Sequence, residues 1–169
     1  MSPSEAIEVW DSELTQFELG ELPNFGKVYA PGSVRVHSKQ QITAKDGQYK
    51  ITAGESIAYR YLVEQVVDAG AFGQVCKCVD LGGTGEAVAI KISKDQASQR
   101  KNAQYEARIL ERFSKDAEAL KGVVRMIEHF DFRGFYIIVF ELLEKNIYRH
   151  INQPRFKGFT QEQLKAYAK

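Results

Sequence analysis

Residues 67–91 read VDAGAFGQVCKCVDLGGTGEAVAIK, and this stretch decides the fold. Leu62 to Ala69 and Gln74 to Val79 have the β-branched texture of strands, joined by the turn Gly70-Ala71-Phe72-Gly73. A second turn, Leu81-Gly82-Gly83-Thr84-Gly85, leads into a third strand from Ala87 to Ile92. A glycine turn between strands lets backbone N–H groups approach a phosphate, because no Cβ intervenes. On its own such a turn is most often a plain hairpin. The third strand adds chemistry: Val88-Ala89-Ile90-Lys91 ends an apolar run on a lysine, and a buried ammonium must be paired. Fifteen residues later Glu106 falls on the inner face of a helix expected over Ala97 to Phe113, beside Ile109 and Leu110. Ala103, Ala107 and Leu110 mark that face, and Glu111 with Lys115 forms an i,i+4 charge pair. Taken singly, Lys91 could reach solvent and Glu106 could be an exposed helix charge.

Outward from this stretch, Val123 to Phe132 and Phe135 to Leu142 read as two more strands around a turn at Arg133-Gly134. Short helical stretches follow near Asn146–Ile151 and from Thr160 onward. Five strands with one main helix after the third predict an α+β unit on an antiparallel sheet. Before it, Glu13 to Leu22 forms a short amphipathic helix anchored by Leu14, Phe17 and Leu22, and Pro23 and Pro31-Gly32 break the chain. β-prone pieces at Val34–Val36 and Tyr49–Thr52 flank the turn signal Asp46-Gly47. So little periodicity predicts a segment that leans on a larger body.

Composition narrows the function classes. The 169 residues are 44% hydrophobic and 27% charged, close to globular averages for one domain. With 23 Lys+Arg against 22 Asp+Glu, the net charge of +1 argues against a nucleic-acid partner. The longest apolar run, Phe135 to Phe140, is far short of a membrane helix. Met1 to Trp10 carries acids where a signal peptide would carry bases, so the expected location is intracellular, cytoplasmic or nuclear. Cys76 and Cys78 read as reduced thiols on a strand, and His37, His129 and His150 lack metal-ligand spacing, so no metal site is expected.

In order and spacing, the glycine turn, the Val-Ala-Ile-Lys strand and the helix glutamate resemble the amino-terminal lobe of a eukaryotic protein kinase. More closely, the chain resembles the dual-specificity tyrosine-phosphorylation-regulated kinases of the CMGC group. Ala58-Tyr59-Arg60-Tyr61, Phe72-Gly73-Gln74-Val75, Phe140-Glu141-Leu142-Leu143, Asn146-Ile147-Tyr148 and Phe156-Lys157-Gly158-Phe159 carry that likeness. Leu14-Thr15-Gln16-Phe17-Glu18 and Asp46-Gly47-Gln48-Tyr49 extend it into the amino-terminal segment, so it covers nearly everything after about Ser12.

The resemblance implies an accessory segment over 1–58, a kinase N-lobe over 59–145, and the hinge exit with the start of a second lobe over 146–169. It implies ATP as cofactor, held by a loop of Val67, Asp68, Ala69, Gly70, Ala71, Phe72, Gly73, Gln74 and Val75. Val75 and Ala89 would roof the adenine, and Phe140 would be the gatekeeper. Glu141, Leu142 and Leu143 would form the hinge, meeting the adenine through the backbone of Glu141 and Leu143. Lys91 would hold the α- and β-phosphates with Glu106 fixing it, the two residues given a catalytic role, and Leu110 would join the lobe's apolar stack. The implied reaction moves the γ-phosphoryl of ATP to serine and threonine hydroxyls of protein substrates, and to tyrosine on the kinase's own activation loop. The accessory segment would brace the lobe and assist that maturation.

Phosphoryl transfer also needs an aspartate for the hydroxyl, an asparagine and an aspartate for Mg²⁺, and an activation segment. No histidine here is followed by Arg-Asp, no Ala-Pro-Glu occurs, and Asp131-Phe132-Arg133 precedes the hinge with arginine third, as strand sequence. With Lys169 falling in what would be the first long helix of the second lobe, the expectation is an inactive kinase fragment whose Mg²⁺ ligands are absent. Apolar Ile147, Ile151, Phe156, Phe159 and Leu164 would then promote self-association. One departure stands out: Asp68 replaces the glycine that opens the family's loop. It keeps open a pseudokinase or regulatory scaffold that uses the lobe as a docking surface. A non-kinase β-rich binding domain would require the Lys91–Glu106 register to be chance.

Overall fold

The computed structural model describes residues 1–71, 73–83, 85–115, 122–143 and 157–167. Phe72, the stretch Asn146–Ile151 and the apolar Phe156 lie outside the described residues.

A single antiparallel sheet has the order β1-β2-β3-β4-β6-β5. Its strands are β1 (Ser56–Ile57), β2 (Tyr61–Gly70), β3 (Gly73–Asp80), β4 (Ala87–Ser93), β5 (Met126–Phe132) and β6 (Phe135–Glu141). Five of them are those expected; the sixth, β1, pairs only Ser56 with Leu62 and Ile57 with Tyr61 and is too short to show a period. The main helix, α4, spans Ala97–Phe113 between β4 and β5. The α+β lobe expected from the sequence is therefore present with one strand more.

Strand β6 shows why the longest apolar run belongs in a sheet. Phe135, Ile137 and Val139 enter the core with Ile90, Ile92, Cys76 and Cys78. On the opposite face, Tyr136 and Ile138 pack against Ala103 and Ala107 of α4. A strand covered on both faces needs apolar residues at every position. Its turn to β5 sets Arg133 and Gly134 at φ of 52° and 85°, the left-handed pair a tight two-residue hairpin turn requires.

The accessory segment departs further from expectation. An unforeseen helix α1 (Pro3–Trp10) starts with a capping box between Ser2 and Glu5 and buries Ala6 and Trp10. The helix expected over Glu13 to Leu22 is divided: a 3₁₀ turn at Asp11–Glu13, then α2 (Gln16–Glu21), then a 3₁₀ turn at Leu22–Asn24. Val34–Val36 and Tyr49–Thr52 are not strands; the helical turn α3 (Lys39–Ile42) lies between them, and Tyr49 makes one isolated bridge to Thr43. Side chains take up their backbone groups instead: Val36 N–H donates to Glu18 Oε1 at 3.3 Å, and Thr52 N–H to Glu55 Oε1 at 2.8 Å. Val36, Ile42 and Tyr49 are buried in the lobe's own core. A second small cluster joins Ala6, Trp10, Leu22 and Val28 to Tyr59. Helix α5 (Gln161–Tyr167) follows later, with Leu164 exposed. Among the described residues no helix is long and apolar enough to cross a membrane.

Candidate functional site

The site forms where β2 and β3 turn back over β4. Gly70 pairs with Gly73 at the tip of the hairpin, Asp68 lies opposite Val75, and Val75 lies opposite Lys91. Gly73 has φ +137°, and a Cβ there would stand 2.1 Å from the Ile92 carbonyl oxygen. Only glycine lets β3 approach β4 this closely. Beneath the hairpin a cleft of about 260 Å³ is lined by Asp68, Ala69, Gly70, Gly73, Val75 and Lys91.

Alternation along β4 aims the lysine. Ile90 and Ile92 are buried in the core, so Lys91 projects from the other face, towards α4. There its ammonium donates to both oxygens of Glu106, at 2.8 and 2.6 Å. The glutamate sits beside Ala107 and one turn after Ala103, the alanines that seat α4 on β6. Lys91 therefore neither escapes to solvent nor leaves Glu106 a free helix charge. The paired side chains retain 26% and 39% exposure, which leaves the ammonium reachable from the cleft.

The other predicted positions divide. Ala89 pairs with Phe140 across β4 and β6, and Phe140 packs half-buried against the α4 contact. Gln74 turns towards the accessory segment and bonds Gln48. Ala71 is exposed at the hairpin tip, and Val67 is half-buried on β2. Glu141 donates its N–H to Arg125 O at 3.0 Å, and its carboxylate accepts from Arg125 N at 2.7 Å. Leu142 and Leu143 are exposed past the end of β6. Asp68 lies at the cleft wall, its Oδ1 accepting the N–H of Ala69 at 2.9 Å.

Residues that motif reading passed over surround the pair. Glu111 meets His129 rather than standing only beside Lys115, and Asp131 binds Arg100. No local sequence signal marks these contacts, because they join positions 18 and 31 residues apart. A larger hollow of about 380 Å³, between Phe25, Tyr29, Arg60, Tyr61 and Phe130, contains none of the predicted residues. The free thiols of Cys76 and Cys78 lie buried 3.6 Å apart. Their mutual hydrogen bond, then burial, pushes the Cys78 thiol far above its ordinary range.

No family model matches the chain. Over 98% of its length it is 30% identical to the dual specificity tyrosine-phosphorylation-regulated kinase mbk-2 of Caenorhabditis elegans, covering 21% of that protein. It is 36% identical over 92% of its length to the serine/threonine-protein kinase ppk5 of Schizosaccharomyces pombe, covering 20%. Against the human dual specificity tyrosine-phosphorylation-regulated kinase 4 it is 31% identical over 95% of its length, covering 32%. Along nearly its whole length the chain is similar to dual-specificity tyrosine-phosphorylation-regulated kinases. It spans between a fifth and a third of these relatives. Similarity to this family along nearly the whole chain removes the non-kinase β-rich domain from consideration, and it includes the segment before Tyr59. The cleft also suits a nucleoside triphosphate: an ammonium already braced by a carboxylate faces a hairpin in which Gly70 leaves open space for phosphate.

Proposed function

We propose that this chain is the ATP-cradling lobe of a dual-specificity protein kinase. The observation that carries the reading is the Lys91–Glu106 pair, closed at 2.6 and 2.8 Å under a glycine hairpin. Lys91 offers its remaining charge to the α- and β-phosphates, and Glu106 keeps the ammonium from swinging out. Val75 and Ala89 cover the adenine, Phe140 limits the depth of its pocket, and the backbone of Glu141 and Leu143 meets its edge. Bound with ATP in the complete kinase, Mg²⁺ supplies charge neutralisation of the phosphates; no residue of this chain is assigned to it. The complete kinase acts on serine and threonine hydroxyls of proteins, and on its own activation-loop tyrosine, inside the cell. The 169 residues hold neither a His-Arg-Asp nor an Asp-Phe-Gly triplet, so the chain alone binds nucleotide and transfers nothing.

Calorimetric titration with ATP tests the reading. Lys91→Ala should weaken binding at least about tenfold, the loss of one charge-assisted phosphate contact. Equal affinity in wild type and Lys91→Ala, or no binding by either, would contradict it. Asp68 on the cleft wall favours a second reading, a regulatory lobe that binds nucleotide poorly and serves as a docking surface.

A further inference from the structure

Helix α4 must hold Glu106 within reach of Lys91, yet the side chains it buries fully are only two alanines, Ala103 and Ala107. Alanine removes little apolar surface from water, so this contact fixes the helix weakly against sliding or tilting. Polar contacts to the β5–β6 hairpin flank it on both sides. In the first turns of α4, Arg100 pairs with Asp131, donates to the Gly134 carbonyl at 3.3 Å, and sets its guanidinium 5.9 Å over the Tyr136 ring. Near the other end, Glu111 Oε1 lies 2.9 Å from His129 Nε2. The other ring nitrogen of His129, Nδ1, lies 2.7 Å from the Tyr136 hydroxyl, and the two rings stack 5.6 Å apart. Glu106 falls between the two attachments, and Tyr136 belongs to both.

We propose that Tyr136, linked through His129 to Glu111 and through its ring to Arg100, is a two-point clamp that positions α4 so that Glu106 meets Lys91. The clamp rests on the nucleotide reading of that pair and adds positioning residues that touch no nucleotide. The hydrogen bonds also set its response to pH. With His129 neutral, Nε2–H donates to Glu111 while Nδ1 accepts from the Tyr136 hydroxyl. Protonation keeps both contacts, reverses the second, and turns the first from a hydrogen bond to a carboxylate into an ion pair. Glu111 of α4 and Tyr136 of β6 meet the imidazole; Arg100 and Arg108 of α4 and Asp131 of β5 act on Tyr136, and Lys115 lies beside Glu111. Asp131 is paired with Arg100, so Glu111 is the carboxylate that answers the imidazolium. The His129 hydrogen bond already holds the Glu111 carboxyl below its usual range. Protonation of His129 therefore tightens the clamp.

Two measurements on the chain test this: ATP titration between pH 5.5 and 8, and amide hydrogen exchange across 97–113. His129→Ala should weaken ATP about fivefold, the scale of coupling through a contact network, and speed exchange around Glu106. His129→Gln can donate to Glu111 and accept from Tyr136 without charge, so it should restore most of the affinity at pH 8. The ratio of wild-type to His129→Gln affinity should rise from about 1 at pH 8 to about threefold at pH 5.5, as one partly exposed ion pair gains its charge. The nucleotide's own protonation cancels in that ratio. Wild-type affinity in His129→Ala, or a ratio flat with pH, would overturn the clamp. Should wild type bind no ATP, or Lys91→Ala bind as well as wild type, the nucleotide reading fails instead. Exchange then decides the clamp by itself: unchanged rates around Glu106 in His129→Ala overturn it.

Discussion

Asp68 stands where the resemblance to kinases leads one to expect glycine, and its place on the cleft wall makes the consequence measurable. A carboxylate some 6–8 Å from a triphosphate repels it, by an amount that salt and Mg²⁺ reduce. Asp68→Gly should therefore bind Mg·ATP about tenfold more tightly, with part of the gain in Asp68→Asn. Added salt should shrink the benefit, and adenosine, which has no phosphates, should show little of it. Calorimetry with both variants separates charge from backbone access. Equal affinities in all three proteins would mean that the Ala69 N–H holds the carboxylate out of the nucleotide's field, and the regulatory reading would lose its support. Strand alternation and helix periodicity, being local rules, placed Lys91 at the end of an apolar strand and Glu106 on a helix's inner face; their pairing came from the resemblance to kinases. Glu106 reaching Lys91 depended on α4 packing against β6; the alanines at 103 and 107 marked the packed face of the helix but not its partner. The His129–Tyr136–Glu111 contacts had no such signal, because hydrogen bonds between distant polar residues follow no period.

At the level of elements, the segment between α3 and β1 shows where sequence texture misled. Tyr49 and Thr52 are β-prone, yet here they organise a buried acid: Glu55 accepts from the Tyr49 hydroxyl at 3.0 Å and from the Thr52 N–H at 2.8 Å. Burial raises the Glu55 carboxyl above its usual range, against the lowering effect of those donors. Folding then favours the protonated form, so its contribution is greatest below the unfolded carboxyl range near 4.5 and declines as pH rises through the folded value. Glu55→Gln cannot ionise; its amide oxygen can still accept from the Thr52 N–H while its NH2 donates to the Tyr49 oxygen, so it should remove that decline. The gap in melting temperature between variant and wild type should widen in the variant's favour from pH 4 to pH 8. A gap constant with pH would show that Glu55 titrates alike in the folded and unfolded chain. Helix α1 went unread for another reason. Its capping box and Pro3 were in plain sight, but with eight residues it shows barely two turns of periodicity. Strand β1, two residues long, shows none.

Across the whole molecule, one buried arginine adds a polar tie between the accessory segment and the lobe to the apolar contacts of Val36, Ile42 and Tyr49. Arg133, held left-handed in the β5–β6 turn, donates from Nε to both Glu21 oxygens at 3.0 and 3.1 Å with its side chain only 3% exposed. The Tyr59 hydroxyl donates to the same carboxylate at 2.6 Å. Breaking such a pair strands a charge, so Arg133→Met should cost roughly 3 kcal/mol in thermal or denaturant unfolding. Adding Glu21→Met should recover much of that loss; a double variant as unstable as the sum of the two single ones would mean that the pair does not couple the segment to the lobe. The same hairpin that carries Arg133 on its accessory side carries His129 and Tyr136 on its α4 side, so the Arg133–Glu21 pair and the proposed clamp share one hairpin. The central claim remains the nucleotide cradle, and the most direct test labels it chemically. An acyl phosphate of ATP places an electrophilic carbonyl beside the phosphates, where a lysine amine attacks it and the nucleotide phosphate leaves. Mass spectrometry of the labelled chain should find the acyl group on Lys91, suppressed by excess unmodified ATP. Labelling spread over surface lysines such as Lys45 and Lys101, or labelling of Lys91 that excess ATP leaves undiminished, would contradict the account.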